Sequence, residues 1–273
     1  MATDPPPPET EAEAGPEPVL QARGVHYRYL DRYPALAGVD LTVHAGDRLA
    51  LLGANGCGKS TLLKLLDALV FPTAGTVHAF GAPLTDAALA DPSANAAFRS
   101  RVGFVFQNSD TQVFSPTVRD EIAFGCLQLG LGREETLARV DDMTALLQIA
   151  DLADRAPHQL SGGQKKRVAI ASVLVMNPDV LLFDEPTATL DPRTQHWLID
   201  LLAQLTTAGK TLVLATHDLH LLEHLTTRAL VLGEDHTVLA DTTPADALAD
   251  QELLLRANLV HPRDNRTHLR PHR

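Results

Sequence analysis

Cysteine is scarce: the chain of 273 residues contains 2 of them, Cys57 and Cys126. Two thiols cannot form a disulfide framework, and such sparing use fits a reducing cytosol. Long apolar runs are missing as well. No uninterrupted stretch approaches the ~20 residues that cross a bilayer as a helix. No charged-then-apolar leader opens the chain, so any membrane work is expected to fall to another chain. Positive charge is in deficit, with 23 Lys and Arg against 34 Asp and Glu and a formal net charge of -11. That balance removes the broad basic field that draws proteins to nucleic acid or anionic lipid. No nucleic-acid partner is expected, and any phosphate binding must be local. What is present is apolar substance: hydrophobic residues make up 45% of the chain, enough for one elaborated α/β domain.

The most informative stretch is Gly53-Ala54-Asn55-Gly56-Cys57-Gly58-Lys59-Ser60, followed by Thr61. It is preceded by the apolar run Arg48-Leu49-Ala50-Leu51-Leu52 and leads into Leu62-Leu63-Lys64-Leu65-Leu66. A buried strand, a glycine-rich curl of backbone N–H groups and the positive end of a helix together make a phosphate cradle. Lys59 would neutralise the β- and γ-phosphates, and the Ser60 hydroxyl would complete a Mg²⁺ shell. Cys57 lies inside this loop, so a thiol reagent there is expected to block nucleotide binding, with ATP and Mg²⁺ protecting it.

Around the cradle, residues 1–18 are rich in proline and acid and are expected to form a disordered tail. Residues 19–43 alternate apolar and polar side chains between turn residues, which predicts antiparallel strands with one wet face. Residues 75–81 predict a short strand, 82–98 an alanine-rich polar connection, and 101–106 a buried strand ending at Gln107. The block from Thr117 to about Ala153 has helical spacing, within a helical subdomain of about 110–176. Strands and helices then alternate, which argues for a mainly parallel sheet covered on both faces. The folded domain is expected over 19–259, with a loose Arg- and His-rich tail over 260–273.

Two further stretches carry chemistry. The run Val180-Leu181-Leu182-Phe183-Asp184-Glu185 is a buried strand ending in two acids, which should emerge at the carboxyl end of the sheet, where α/β proteins place ligands. Side-chain alternation along the strand predicts that the acids diverge: Asp184 holds Mg²⁺ through water, and Glu185 faces an attacking water as general base. In Leu160-Ser161-Gly162-Gly163-Gln164-Lys165-Lys166-Arg167, Ser161 is a helix N-cap and the glycines expose the first backbone N–H groups to a close anion. Basic residues in the first turn oppose the helix dipole, which predicts an anion nearby.

These three motifs, in this order and spacing, resemble the nucleotide-binding subunits of ATP-binding-cassette (ABC) transporters, over nearly the whole of residues 19–259. The resemblance implies a P-loop NTPase (RecA-like) core with an N-terminal antiparallel β subdomain and an inserted α-helical subdomain. It implies ATPase activity with ATP and Mg²⁺. It also implies a head-to-tail dimer in which Ser161, Gly162, Gly163 and Gln164 of one chain complete the site on the other's phosphate loop. The partner ATPase is either an identical chain or a sister. Carried over residue by residue, Tyr29 matches the aromatic that stacks on adenine, with Tyr27 as the rival. Gln107 matches the glutamine that touches Mg²⁺ and water and senses the membrane partner. Leu190-Asp191 matches the loop that crosses the dimer interface, with Thr189 where smaller residues are more usual, and His217 matches the histidine at the γ-phosphate.

The stretch from Gln107 through Gln112-Val113-Phe114 to Glu121-Ile122-Ala123-Phe124-Gly125 is similar to energy-coupling-factor importers, and residues 188–195 and 252–259 are most like their cobalt/nickel ATPases. The resemblance then implies a peripheral subunit on the cytoplasmic face of the membrane. A transmembrane coupling protein and a substrate-binding membrane protein would be its partners. Another ABC transporter (a vitamin importer or an exporter) and a soluble ABC ATPase are the alternatives. Histidines 217, 220 and 224 read as one helix face and 261, 268 and 272 crowd the tail, but no carboxylate or thiolate set completes a metal site with them.

Overall fold

The structure, a computed structural model, describes residues 17–261; residues 1–16 and 262–273, most of both expected tails, lie outside the described residues. The first two strands, β1 (Pro18–Tyr29) and β2 (Tyr33–His44), pair antiparallel across a hairpin whose Leu30 and Asp31 both have left-handed backbone. Strand β3 (Arg48–Leu52) runs into the phosphate loop and α1 (Lys59–Leu66). Next come β4 (Ala74–Ala79), β5 (Ala82–Pro83), α2 (Asp86–Leu89), α3 (Pro92–Arg101) and β6 (Val102–Val105). A helical block follows, with α4 (Val118–Gln128), α5 (Arg133–Leu146) and α6 (Gly162–Leu174). The chain then alternates through β7 (Val180–Asp184), α7 (Pro192–Thr207), β8 (Thr211–Thr216), α8 (His220–Leu225), β9 (Arg228–Leu232) and β10 (Val238–Thr242). Helices α9 (Pro244–Ala249) and α10 (Gln251–Arg256) finish it.

Two sheets result. One has the order β2-β1-β4-β5 and is antiparallel; the other has the order β10-β9-β3-β8-β7-β6 and is parallel except for its edge strand β10. Strands β3, β7 and β8 are apolar on both sides because both faces of the parallel sheet are covered. Leu49, Leu51, Val180, Leu182, Val213 and Ala215 face the core shared with the antiparallel sheet and α1. Leu181, Phe183, Leu212 and Leu214 face the opposite core under α6 and α7. Ala50 and Leu52 pack towards the C-terminal helices. The fold is therefore α/β, with an antiparallel sheet at the N-terminal side and an inserted helical block.

Two local expectations change. The connection over 82–98 carries α3, which Asp91 caps through the Ala94 N–H with Pro92 in the first turn. One buried residue, Phe98, docks this helix, so apolar periodicity could not announce it. His217 lies in the loop after β8, before α8 begins at His220, so histidines 217, 220 and 224 do not share a helix face. Among the described residues no group of acidic, His and Cys side chains suits a metal ion unaided.

Candidate functional site

Register brings the motifs together. In the parallel ladder Leu52 lies beside Thr216 and Asp184 beside Ala215, so the phosphate loop, Glu185 and His217 all leave the sheet at one carboxyl edge. The loop's glycines are required where it turns. Gly58 has φ +116°, and a Cβ there would sit 2.3 Å from Ala35 O; at Gly53, with φ +145°, it would meet Cys57 Sγ and Leu232 O, each at 2.6 Å. α1 then buries Leu62, Leu63, Leu65 and Leu66, which fixes the loop's exit. Burying each such side chain is worth about 1.5–3 kcal/mol.

Within the loop, Lys59 is buried, and its Nζ donates to Gly53 O (2.7 Å) and Ala54 O (3.1 Å). It also lies 3.6 Å from Glu185 Oε1. His217 Nδ1 is 2.9 Å from the same oxygen, so Glu185 is held between a cation and an imidazole. Glu185 has φ +43°, and its N–H donates to Ala215 O at 2.9 Å. The two acids therefore part company through a left-handed residue after the strand, and not through continued strand alternation; backbone strain of this kind gathers at functional sites. The Ser60 hydroxyl donates to Asp184 Oδ1 at 2.9 Å. Burial raises the Asp184 pKa, with the Ser60 hydrogen bond working against it. A divalent cation would favour the ionised form, and a hydroxyl beside a carboxylate is the hard oxygen donor set that Mg²⁺ takes.

These groups open on a cavity of about 460 Å³ lined by Tyr29, Lys59, Ser60, Thr61, Gln107 and Glu185 among others. That size falls in the range of cofactor sites, about 300–1,000 Å³. Tyr29 is 38% exposed and its hydroxyl pairs with Thr61 Oγ1 at 3.1 Å. Tyr27 meets the Tyr29 ring edge-on at 5.0 Å, packs against the core and is absent from the cavity lining.

Ser161, Gly162, Gly163 and Gln164 stand elsewhere: none of them lines this cavity. They form the head of α6, where Ser161 and Gln164 make a capping box, the Ser161 N–H donating to Gln164 Oε1 at 3.0 Å. Gly163 packs closely on α7, where a Cβ would lie 3.2 Å from Thr194 Oγ1. Asp191 caps α7 through Thr194, and Thr189 before it has φ +65°, a conformation that glycine adopts freely and a β-branched residue does not.

One expectation gains a detail here and another is corrected. The basic side chains in the first turn of α6 are engaged within the chain. Lys165 meets Asp110, Lys166 donates to Phe106 O and Gln107 O, and Arg167 donates to Leu147 O while covering the Trp197 ring. Cys57 is 2% exposed, and burial raises its thiol pKa, so it is a core side chain and not an open reactive group. The residue that sequence reasoning missed is Lys166, 2% exposed, whose pKa burial lowers to about 8. Its signal was present: it lies on the face of α6 that also buries Ile170 and Val173.

A phosphate loop between a parallel strand and a helix, with acids and a histidine gathered at the same sheet edge, defines a nucleotide-binding ATPase of the P-loop class. Comparison carries this further. A profile of the ABC transporter family matches residues 36–188. The nickel import ATP-binding protein NikO of Rhodobacter capsulatus is 50% identical over 249 residues, covering 89% of this chain and 96% of its own length. The energy-coupling factor transporter ATP-binding protein EcfA of Methanothermobacter thermautotrophicus is 40% identical over 247 residues, covering 90% of this chain and 77% of its own. A solved dimeric ATP-binding cassette in a post-hydrolysis state, bound to ADP and Pi, superposes with a TM-score of 0.73 at 29% identity, covering 82% of this chain and 98% of that one. The chain belongs to the ATP-binding subunits of ABC transporters, ATPases coupled to transport.

Proposed function

We propose that the chain is the ATP-hydrolysing subunit of an energy-coupling-factor importer that powers uptake of nickel or cobalt ion. It works as a head-to-tail dimer of two copies, lying peripherally on the cytoplasmic face of the membrane. The names of NikO and EcfA support the transporter type, and the solved cassette dimer supports the pairing. The observation that carries the reading is the division of the site. Lys59, Ser60, Asp184, Glu185 and His217 converge at one sheet edge, while the head of α6 is held apart from them.

The roles follow from position. The loop over 53–61 holds the phosphates, and Lys59 exchanges its loop carbonyls for phosphate oxygens. Tyr29 stacks on the base. Ser60, Gln107 and Asp184 hold Mg²⁺, which when bound draws charge from the phosphate oxygens. Glu185 takes the proton of the attacking water as the water oxygen bonds to the γ-phosphorus and the bond to the bridging oxygen breaks, releasing ADP and inorganic phosphate. His217 orients Glu185 and faces the γ-phosphate. Ser161–Gln164 of the partner subunit close over the nucleotide, with the Gly162 and Gly163 N–H groups at the helix start turned to it. In domain terms, 19–259 forms the ATPase, with the helical block of about 110–176 turned to a transmembrane coupling protein, and a separate membrane protein binds the ion. The exposed Phe114 and Phe124, in edge-on contact at 5.2 Å, lie in that block.

The experiment is Glu185→Gln. ATP binding should persist, turnover should fall about 100-fold or more, and the dimer should become long-lived in ATP. Normal hydrolysis by this variant would remove Glu185 as the base. Transport is tested by reconstituting the complex with its membrane partners and measuring nickel and cobalt uptake; ATP-dependent uptake of neither ion would refute the substrate.

A further inference from the structure

The segment after β6 carries Gln107 to the ATP cavity, and α6 carries the Ser161–Gln164 head. Three contacts tie the two. Lys165 Nζ lies 2.5 Å from Asp110 Oδ1. Lys166 Nζ donates to Phe106 O at 2.9 Å and to Gln107 O at 3.3 Å. Gln112 Nε2 donates to Phe104 O at 3.2 Å and to Ala169 O at 3.4 Å, while its Oε1 accepts from the Phe106 N–H at 3.1 Å.

These ties are unequal. The Asp110 side chain is 64% exposed, so water and salt screen its pair with Lys165. Gln112 grips residues before Gln107 and leaves Gln107 itself untouched. Lys166 is different: its ammonium is buried on the apolar face of α6, where desolvating a charge is costly, and backbone carbonyls hold it. A leucine or methionine would satisfy the packing at that position without this cost. What the lysine adds is a grip on the carbonyl of Gln107.

We propose that Lys166 is a positioning residue that locks the backbone of Gln107 to α6, so that movement of the Ser161–Gln164 head reaches the Gln107 side chain in the same chain's ATP cavity. In a head-to-tail dimer the α6 head serves the partner's nucleotide. Lys166 then links the two ATP sites through one chain. The inference rests on the assignment of Gln107 to the metal and the attacking water given above.

A double-mutant cycle tests it: Lys166→Met, Gln107→Ala and the pair, each assayed for ATPase kinetics, for Mg²⁺ dependence and for ATP affinity without Mg²⁺. Methionine keeps the apolar stem and cannot donate. Lys166→Met should lower kcat about tenfold, raise the Mg²⁺ needed for half-maximal rate several-fold, and leave Mg²⁺-free ATP affinity within about twofold. In the Gln107→Ala background the same change should add nothing. Should Lys166→Met fail to fold, Lys166→Gln, whose shorter uncharged amide still donates, goes through the same cycle with smaller shifts expected. Independent, additive losses would overturn the proposal, as would loss of Mg²⁺-free ATP affinity in parallel with rate. If Gln107→Ala itself leaves rate and Mg²⁺ dependence unchanged, the metal assignment fails first and the link falls with it. If Gln107→Ala is slow while Lys166→Met is not, only the link is wrong.

Discussion

The phosphate loop and the head of α6 treat their polar groups in opposite ways. At the loop, the chain answers its own demands: Lys59 sits against loop carbonyls and beside Glu185, Ser60 donates to Asp184, and His217 meets Glu185. At α6, the capping box satisfies Ser161 and Gln164 between themselves, and Ser161 and Gly162 stay exposed. The first N–H groups of a helix have no partner within it. One region gathers its polar groups around a cavity within the chain, and the other presents the head of a helix on the surface. Binding should therefore belong to the single chain and turnover to the pair.

Substitutions can break that contrast from either side. Lys59→Ala should have the largest effect, weakening ATP binding about 100-fold or more, because a buried charge-assisted contact to phosphate is lost; equilibrium binding to the isolated chain measures it. Gly162→Asp should leave single-chain ATP affinity within about twofold and lower turnover about 30-fold, since a carboxylate at the α6 head repels the partner's nucleotide. A smaller effect comes from chemistry: Cys57 in the folded protein should react with a thiol reagent at least about tenfold more slowly than in urea, because its thiol is buried with a raised pKa. Rapid labelling of the native protein would show that the loop opens.

A separate effect, on stability and not on the nucleotide site, lies at the far end of α1, where Asp67 is buried beside Arg99, Nη1 to Oδ2 3.1 Å. Burial pushes the Asp67 pKa from 3.8 to about 7, with Arg99 opposing the shift. The folded state thus holds a proton that the unfolded state has released, so Asp67 makes stability fall as pH rises from about 4 to about 7. Asp67→Asn should flatten that slope, by at most about 1.4 kcal/mol per pH unit, in denaturation curves run across the window. An unchanged slope would mean that Arg99 keeps Asp67 ionised.

Much of this was legible because the motifs write their own geometry. The glycines of the loop announce positive φ, Asp191-Pro192 announces a helix start, and doubly apolar strands announce a sheet buried on both faces. The same Asp-Pro signal at Asp91-Pro92 opens α3, but alanines replace the apolar stripe there and the stretch reads as a polar connection. Other features depend on distant neighbours. Cys57 is buried in a core that includes Leu232, Lys166 finds carbonyls on a segment 59–60 residues earlier, and Glu185 leaves the strand through a left-handed turn. Nothing in the local pattern of one strand or helix encodes those encounters.

Mixing two broken chains tests the divided site most directly. Lys59→Ala and Gly162→Asp should each be nearly inactive alone. Mixed in equal amounts and allowed to exchange, half of the dimers pair an intact loop with an intact α6 head at one of their two sites, so about a quarter of normal activity should return if sites act independently. Mixed dimers that form and show no recovered ATPase activity would contradict the account.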